Sequence, residues 1–274
     1  MESQTSETIR IGSLEVLLAQ PARLPLKWVG QKELIKQVLA AWMVVDERDA
    51  PFNPRLVGKP GVGKTTLGYA AAKQLDREVY LFQATMDTRP EDLIITPVIG
   101  ADGRVRYAAS SLVTAMIRGG VCILDEGNRM SEKSWASLAP LRRYVESIIT
   151  GLTLPAHPDF RFVVTINEDA STYEIPEYIH SRLQPQIFID FPDREDELLI
   201  LKENLPFGDE EILEYMVDFL QRAHMADEVY SVRDGINMAR YALKMIHGMG
   251  MEKKAAIHQA ILSILGDEAL RHAE

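Results

Sequence analysis

The run Gly58-Lys59-Pro60-Gly61-Val62-Gly63-Lys64-Thr65 satisfies the spacing G-x-x-x-x-G-K-[ST]. A β-rich stretch, Arg55-Leu56-Val57, leads straight into it, and a helix-forming stretch opens at Lys64. Each residue type has a physical reason. Glycines carry no Cβ, so successive backbone N–H groups turn inward around a phosphate, and the helix that follows adds the positive end of its dipole. An ammonium at Lys64 reaches the β/γ oxygens, and a hydroxyl at Thr65 ligates Mg²⁺. Gly58, Pro60, Gly61, Val62, Gly63, Lys64, Thr65 and Thr66 are therefore the candidate nucleotide-binding residues, with Lys59 and Val62 at variable positions of the pattern.

Outward from this loop the chain alternates short β-rich runs with helix-sized segments. The runs are 55–57, 78–82, 121–124, 160–166 and 187–191. Such alternation predicts a five-stranded parallel sheet between helices, a P-loop α/β fold. Upstream, Leu34, Ile35, Val38, Leu39, Trp42 and Val45 recur at helical spacing, which predicts an amphipathic helix between Gln31 and Val45 closed by Pro51 and Pro54. From Asp193 the β character stops, and four helical patterns follow at 193–204, 209–224, 231–247 and 253–272. The expected organisation is a flexible lead-in over 1–26, an α/β nucleotide-binding domain over 27–192 and a small all-helical domain over 193–274.

The run Val121-Cys122-Ile123-Leu124 is continuously apolar, as a parallel strand buried on both faces must be, and it ends in Asp125-Glu126. At the C-terminal end of such a strand a carboxylate can hold the shell of a Mg²⁺ ion, which points to Asp125 as the metal-side acid. Glu126, one residue on, leaves the strand and is placed to orient or deprotonate an attacking water.

The chain has 274 residues, 46% of them hydrophobic and 26% charged, enough for one large core and a second small one. Its net charge is −10, and the part from Pro192 onward holds 17 acidic against 9 basic residues. That field repels phosphate backbones, and no basic patch interleaved with aromatics offsets it, so nucleic acid is disfavoured as a partner. Cys122 is the one cysteine, inside an apolar run, and reads as a small buried hydrophobe. No secretory pattern opens the sequence and no apolar run approaches the roughly 20 residues that span a bilayer, so a cytoplasmic location is expected. The histidines lack metal-ligand spacing and read as structural or surface groups.

With these residues in hand, the chain from Trp28 to its end resembles the MoxR-like branch of the AAA+ ATPases. Val29-Gly30-Gln31 looks like the turn lining the adenine pocket of that branch, and Asp125-Glu126-Gly127-Asn128-Arg129 is similar to its acid-acid-x-Asn-Arg signature. The resemblance implies roles for four further positions. Asn167, ending Phe162-Val163-Val164-Thr165-Ile166, matches sensor 1, where an amide helps place the attacking water. Arg182, in Ile179-His180-Ser181-Arg182-Leu183, matches the arginine finger, which acts on a nucleotide bound by the neighbouring subunit. Arg233, in Ser231-Val232-Arg233, matches sensor 2, with Ser231 as its helix N-cap. Thr96 to Ser111 and Tyr144 to Pro158 resemble the two hairpin insertions of the branch, while Leu138 to Arg143 is a few residues shorter than the branch pattern.

The resemblance implies an ATP- and Mg²⁺-dependent ATPase with Val29 and Gly30 at the adenine, Thr65 and Asp125 at the metal, and Glu126, Asn167, Arg182 and Arg233 in catalysis. It implies a homo-oligomeric ring, of six subunits, that remodels a partner protein, often one carrying a von Willebrand factor A domain. A nucleotide-dependent regulatory or defence module with slow hydrolysis shares the same motifs, and so does a nucleic-acid motor, which the acidity disfavours.

Overall fold

The computed structural model describes residues 7–12, 14–25, 27–100, 102–138, 144–147, 150–151, 153–168 and 175–273. Tertiary contacts divide the chain into two compact units. One comprises Met1–Lys27, Leu34–Val57 and Lys64–Phe188, the other Trp28–Glu33, Gly58–Gly63 and Ile189–Glu274.

Along the chain the first part runs β1 (Thr8–Ile11), β2 (Leu14–Leu17), α1 (Lys32–Trp42), β3 (Arg55–Gly58), α2 (Lys64–Gln74), β4 (Val79–Gln83), β5 (Ile95–Ile99) and β6 (Val105–Ala109). It continues with α3 (Ser111–Arg118), β7 (Val121–Asp125), α4 (Glu132–Ser137), β8 (Tyr144–Glu146), β9 (Thr153–Pro155), β10 (Arg161–Asn167), α5 (Glu177–His180) and β11 (Gln186–Phe188). The expected five strands form one sheet in the order β11-β3-β10-β7-β4. The pairings β11–β3, β10–β7 and β4–β7 are parallel, with Phe162 opposite Cys122 and Tyr80 opposite the same residue on the other side. Every residue of β10 is buried, as are the first four of β7, which matches a central position with both faces covered. Burial pushes the Cys122 thiol far above its usual range, so it stays protonated and serves as packing.

Local chemistry sets the helices against this sheet. The Trp42 indole donates to the Phe162 carbonyl at 3.1 Å and the Arg161 guanidinium to the Trp42 carbonyl at 2.8 Å, which fixes the end of α1 on β10. α1 therefore ends at Trp42 rather than Val45, and Met43 and Val45 lie exposed. On α2, a Cβ at Gly68 would sit 3.3 Å from the Val163 side chain, so the missing side chain lets the helix approach the sheet closely. Ser110 caps α3 by accepting from the Val113 amide, and Gly119 in left-handed conformation ends it.

Both expected hairpins are present as β5–β6 and β8–β9. The lead-in differs from expectation. In it β1 and β2 pair antiparallel, and β2 pairs in parallel with β6 to give a four-stranded sheet β1-β2-β6-β5. The Ala19 amide then donates to Thr114, and the Ala22 amide to the Val79 carbonyl. Isolated turn-flanked dyads of apolar residues find burial here only because β6, some 90 positions later, supplies the partner strand. The shortened stretch at Leu138 to Arg143 lies, from Ala139 on, outside the described residues.

The second unit carries α6 (Arg194–Asn204), α7 (Glu210–Met225), α8 (Val232–Met249) and α9 (Lys253–Leu265), followed by a 3₁₀ turn over Asp267–His272. Gly266 separates that turn from α9, where the sequence pattern predicts one continuous helix. α8 has the strongest start signal: Ser231 accepts from the Asp234 amide and the Asp234 carboxylate accepts from the Ser231 amide, a full capping box. The unit has its own core, built on Leu201, Met216, Phe219, Leu220, Met238 and Ile261. Among the described residues no helix is long and apolar enough to cross a membrane.

Candidate functional site

Within the first unit, β7 delivers Asp125 and Glu126 to its C-terminal end and the neighbouring strand β10 delivers Thr165 and Asn167 beside them. The Thr65 hydroxyl, one residue into α2, donates to Asp125 Oδ1 at 2.6 Å, and the Thr165 hydroxyl donates to the same oxygen at 2.7 Å. Thr165 also accepts from the Glu126 amide at 2.8 Å. The two residues predicted to flank Mg²⁺ are thus in direct contact. A hydroxyl with one carboxylate is a sparse oxygen set, suited to an ion that keeps several waters and takes phosphate oxygens as its other ligands. Accordingly, no group of three or more His, Cys, Asp or Glu positioned for a metal occurs among the described residues.

Glu126 leaves the strand in left-handed conformation, φ 54° and ψ 43°, rare for a residue with a side chain. Its carboxylate is held from two sides. Asn167 Nδ2 donates to Oε1 at 3.0 Å and Arg129 Nε to Oε2 at 2.5 Å. Asn167 is itself fixed by Asn128, whose side-chain amide donates to the Asn167 carbonyl at 2.8 Å and accepts from its N–H at 3.3 Å. Gly127 is required between them, since a Cβ there would come within 2.6 Å of Val164. Glu126 and Asn167, each assigned to an attacking water in the sequence reading, are hydrogen-bonded to each other. Thr165 and Arg129 were not among the predicted site residues; a hydroxyl in the otherwise apolar β10 run was the available signal for the first.

Arg182 stands in the turn after α5, exposed, with its guanidinium 5.6 Å from the Tyr178 ring centre and 3.5 Å from the Tyr178 carbonyl. Lys64 opens α2 and is 6% exposed.

Within the second unit, the loop Gly58–Gly63 lies flush against other residues of that unit. Gly61 adopts φ +84°, and a Cβ on it would fall 2.4 Å from the Ser231 hydroxyl and 3.7 Å from Arg233 Cβ. A Cβ at Gly58 would fall 2.2 Å from the Ile189 carbonyl oxygen. Glycine is the residue that fits both places. Arg233, exposed in the first turn of α8, is thereby brought beside Gly61. The predicted adenine-side turn also belongs to this unit. Gly30, at φ +72°, has no room for a Cβ against the Asp196 carboxylate, which accepts from the Gln31 amide at 3.1 Å. Val29, Pro60 and Thr66 are half-buried or exposed, and Val62 is buried.

The chain thus combines a glycine loop entering a helix from β3, a strand order in which β10 lies between β3 and β7, and paired acids at the end of β7. Residues 55–183 match the family model of the AAA domain, dynein-related subfamily. The fold is that of an AAA+ P-loop domain. The chain is 26% identical over 225 residues to the uncharacterized protein YeaC of Bacillus subtilis, a match covering 80% of this chain and 66% of that protein. It is 24% identical over 248 residues to the gas vesicle ATPase GvpN of Haloferax mediterranei, covering 80% of this chain and 69% of that one. Among solved structures it is similar to the RuvB Holliday junction branch migration motor of Thermotoga maritima, with a TM-score of 0.58 at 16% identity over 88% of this chain and 72% of that one.

Proposed function

We propose that this chain binds ATP with Mg²⁺ and hydrolyses it. The observation that carries the reading is the state of the two acids ending β7: Asp125 is tied to the Thr65 hydroxyl, while Glu126 is turned off the strand and held by Asn167 and Arg129. In the proposal, backbone amides of 58–63 and the Lys64 ammonium hold the phosphates, with Val29 and Gly30 at the base and Thr66 following on α2. Thr65 and Asp125 would hold Mg²⁺, which would supply charge neutralisation for the phosphates. Glu126 takes the proton of an attacking water, Asn167 fixes the orientation of that carboxylate, and Arg233 adds positive charge at the γ-phosphate.

The finer reading is that of a MoxR-like chaperone ATPase: residues 27–192 as the nucleotide-binding domain, 193–274 as its lid, and a homo-oligomeric ring, six subunits by resemblance, remodelling a partner protein such as one with a von Willebrand factor A domain. Arg182 is exposed, as a residue that completes a neighbour's site must be. Similarity to the gas vesicle ATPase GvpN supports hydrolysis; the branch and partner rest on the motif resemblance.

Titration with ATP tests the binding half. Lys64→Ala should weaken ATP binding at least tenfold, about 1.4 kcal/mol. Equal affinity in the variant would remove the loop from the proposal.

A further inference from the structure

Lys59 occupies a position that the phosphate-loop pattern leaves open, and its surroundings give it a use. Its ammonium lies 4.8 Å from the centre of the Phe191 ring. That ring is stacked on the His224 imidazole, centres 3.8 Å apart and planes within 6°. His224, on α7, meets the Tyr230 carbonyl at 2.7 Å, so Nε2 is the protonated nitrogen, since a carbonyl only accepts. Burial and the Lys59 charge hold the imidazole below the usual histidine range, against the opposing pull of the Tyr230 carbonyl and Asp190. The ring pair is therefore neutral near pH 7 and can receive one cation.

The loop touches its own unit at three places in sequence order: Gly58 at the Ile189 carbonyl, Lys59 at Phe191, and Gly61 at Ser231. The two glycine contacts fix how close the backbone comes. The Lys59 contact is attractive and directional, and it leads to α7 through His224.

We propose that Lys59 is a positioning residue: it anchors the phosphate loop on the Phe191–His224 stack, and so couples nucleotide binding by the loop to helix α7. This rests on the ATP-binding reading above. A cation held over a partly exposed aromatic face contributes about a two- to fivefold factor in an equilibrium.

The test uses the full chain and a double-variant cycle read in ATP affinity. Lys59→Met and Phe191→Leu should each weaken ATP binding about two- to fivefold, the double variant no more than either single, and Lys59→Arg should bind as wild type does. If Phe191→Leu leaves affinity unchanged, or its loss adds to that of Lys59→Met, Lys59 acts on the phosphates directly and the anchor is wrong. Where Phe191→Leu does not fold, His224→Leu replaces it in the same cycle. The cycle is repeated in urea melts without nucleotide, where the same non-additivity is expected. A wild-type chain that binds no ATP yet keeps the Lys59–Phe191 coupling in the melts would overturn the nucleotide reading and leave the anchor standing; additive melts would overturn the anchor itself.

Discussion

Glu126 holds a backbone conformation that costs a non-glycine residue about 1–2 kcal/mol, and three neighbours keep it there: Thr165 through its amide, Asn167 and Arg129 through its carboxylate. Glu126→Gln keeps the size and removes the proposed base. ATP binding should persist while turnover falls by roughly 10². Hydrolysis at the wild-type rate would assign the base elsewhere. Thr165→Val keeps the shape but strands the Glu126 N–H next to a buried strand. It should lower stability by about 1–3 kcal/mol in urea melts, and Thr165→Ser should restore it. If both variants melt alike, the hydroxyl is not what holds this corner. The loop glycines, Lys64 and Asp125 were legible as candidates because chemistry at fixed spacing marks them, and Asn167 because its segment resembles sensor 1. The left-handed turn at Glu126 was not, because its cause is a hydroxyl 39 residues further along. Nor was the contact of Lys59 with Phe191, two residues separated by most of the first unit's sequence.

At the level of elements, α6 and α7 enclose an anomaly. Glu197 is 0% exposed; one carboxylate oxygen accepts from Gln221 at 2.8 Å, and the other is buried with no hydrogen-bond partner. Burial raises its pKa to about 7, the Gln221 hydrogen bond opposing only in part. The folded chain therefore holds this proton up to a pH at which the unfolded chain has lost it. Stability is highest below the unfolded value near 4.5, declines as pH rises to about 7, and is flat beyond, a loss of about 3 kcal/mol in all. Glu197→Gln should abolish that decline and melt later than wild type at pH 8. Parallel pH profiles for the two chains would show that Glu197 is ionised in the fold. A buried carboxylate with one unpartnered oxygen cannot be read from α6, where Glu195, Asp196 and Glu197 all look like ordinary first-turn acids. The four helices themselves were legible from spacing and from glycine or proline breaks. The exceptions were two helix ends: Trp42, pinned on β10 by tertiary contact, stops α1 early, and Gly266, a local cap with φ +93°, stops α9. β1 and β2 were missed because four-residue strands carry little periodicity and gain their burial from a distant partner.

Over the whole molecule, two units each enclose a separate apolar cluster, and the phosphate loop belongs by its contacts to the helical one although it leads directly into α2. The end of β character near residue 193 was legible in the sequence, while tertiary contacts start the helical segment at Ile189. The assignment of 58–63 was not, since it depends on glycines packing against Ile189 and Ser231. The proposed hydrolysis across subunit junctions depends on Arg182, which rests exposed on its own Tyr178 and reaches no acid of its own chain's described residues in an ion pair. Specific activity should therefore rise with protein concentration. Arg182→Ala should keep ATP binding and lose most turnover, on the order of 10³ in rate. The sharpest measurement is ATP hydrolysis on mixing Arg182→Ala with Lys64→Ala protein, with subunit exchange verified by tag pull-down. Each variant alone should be inactive, while mixed assemblies contain junctions pairing an intact loop with an intact arginine, so activity should return. A mixture that exchanges subunits and stays as inactive as its components would contradict hydrolysis across the junction.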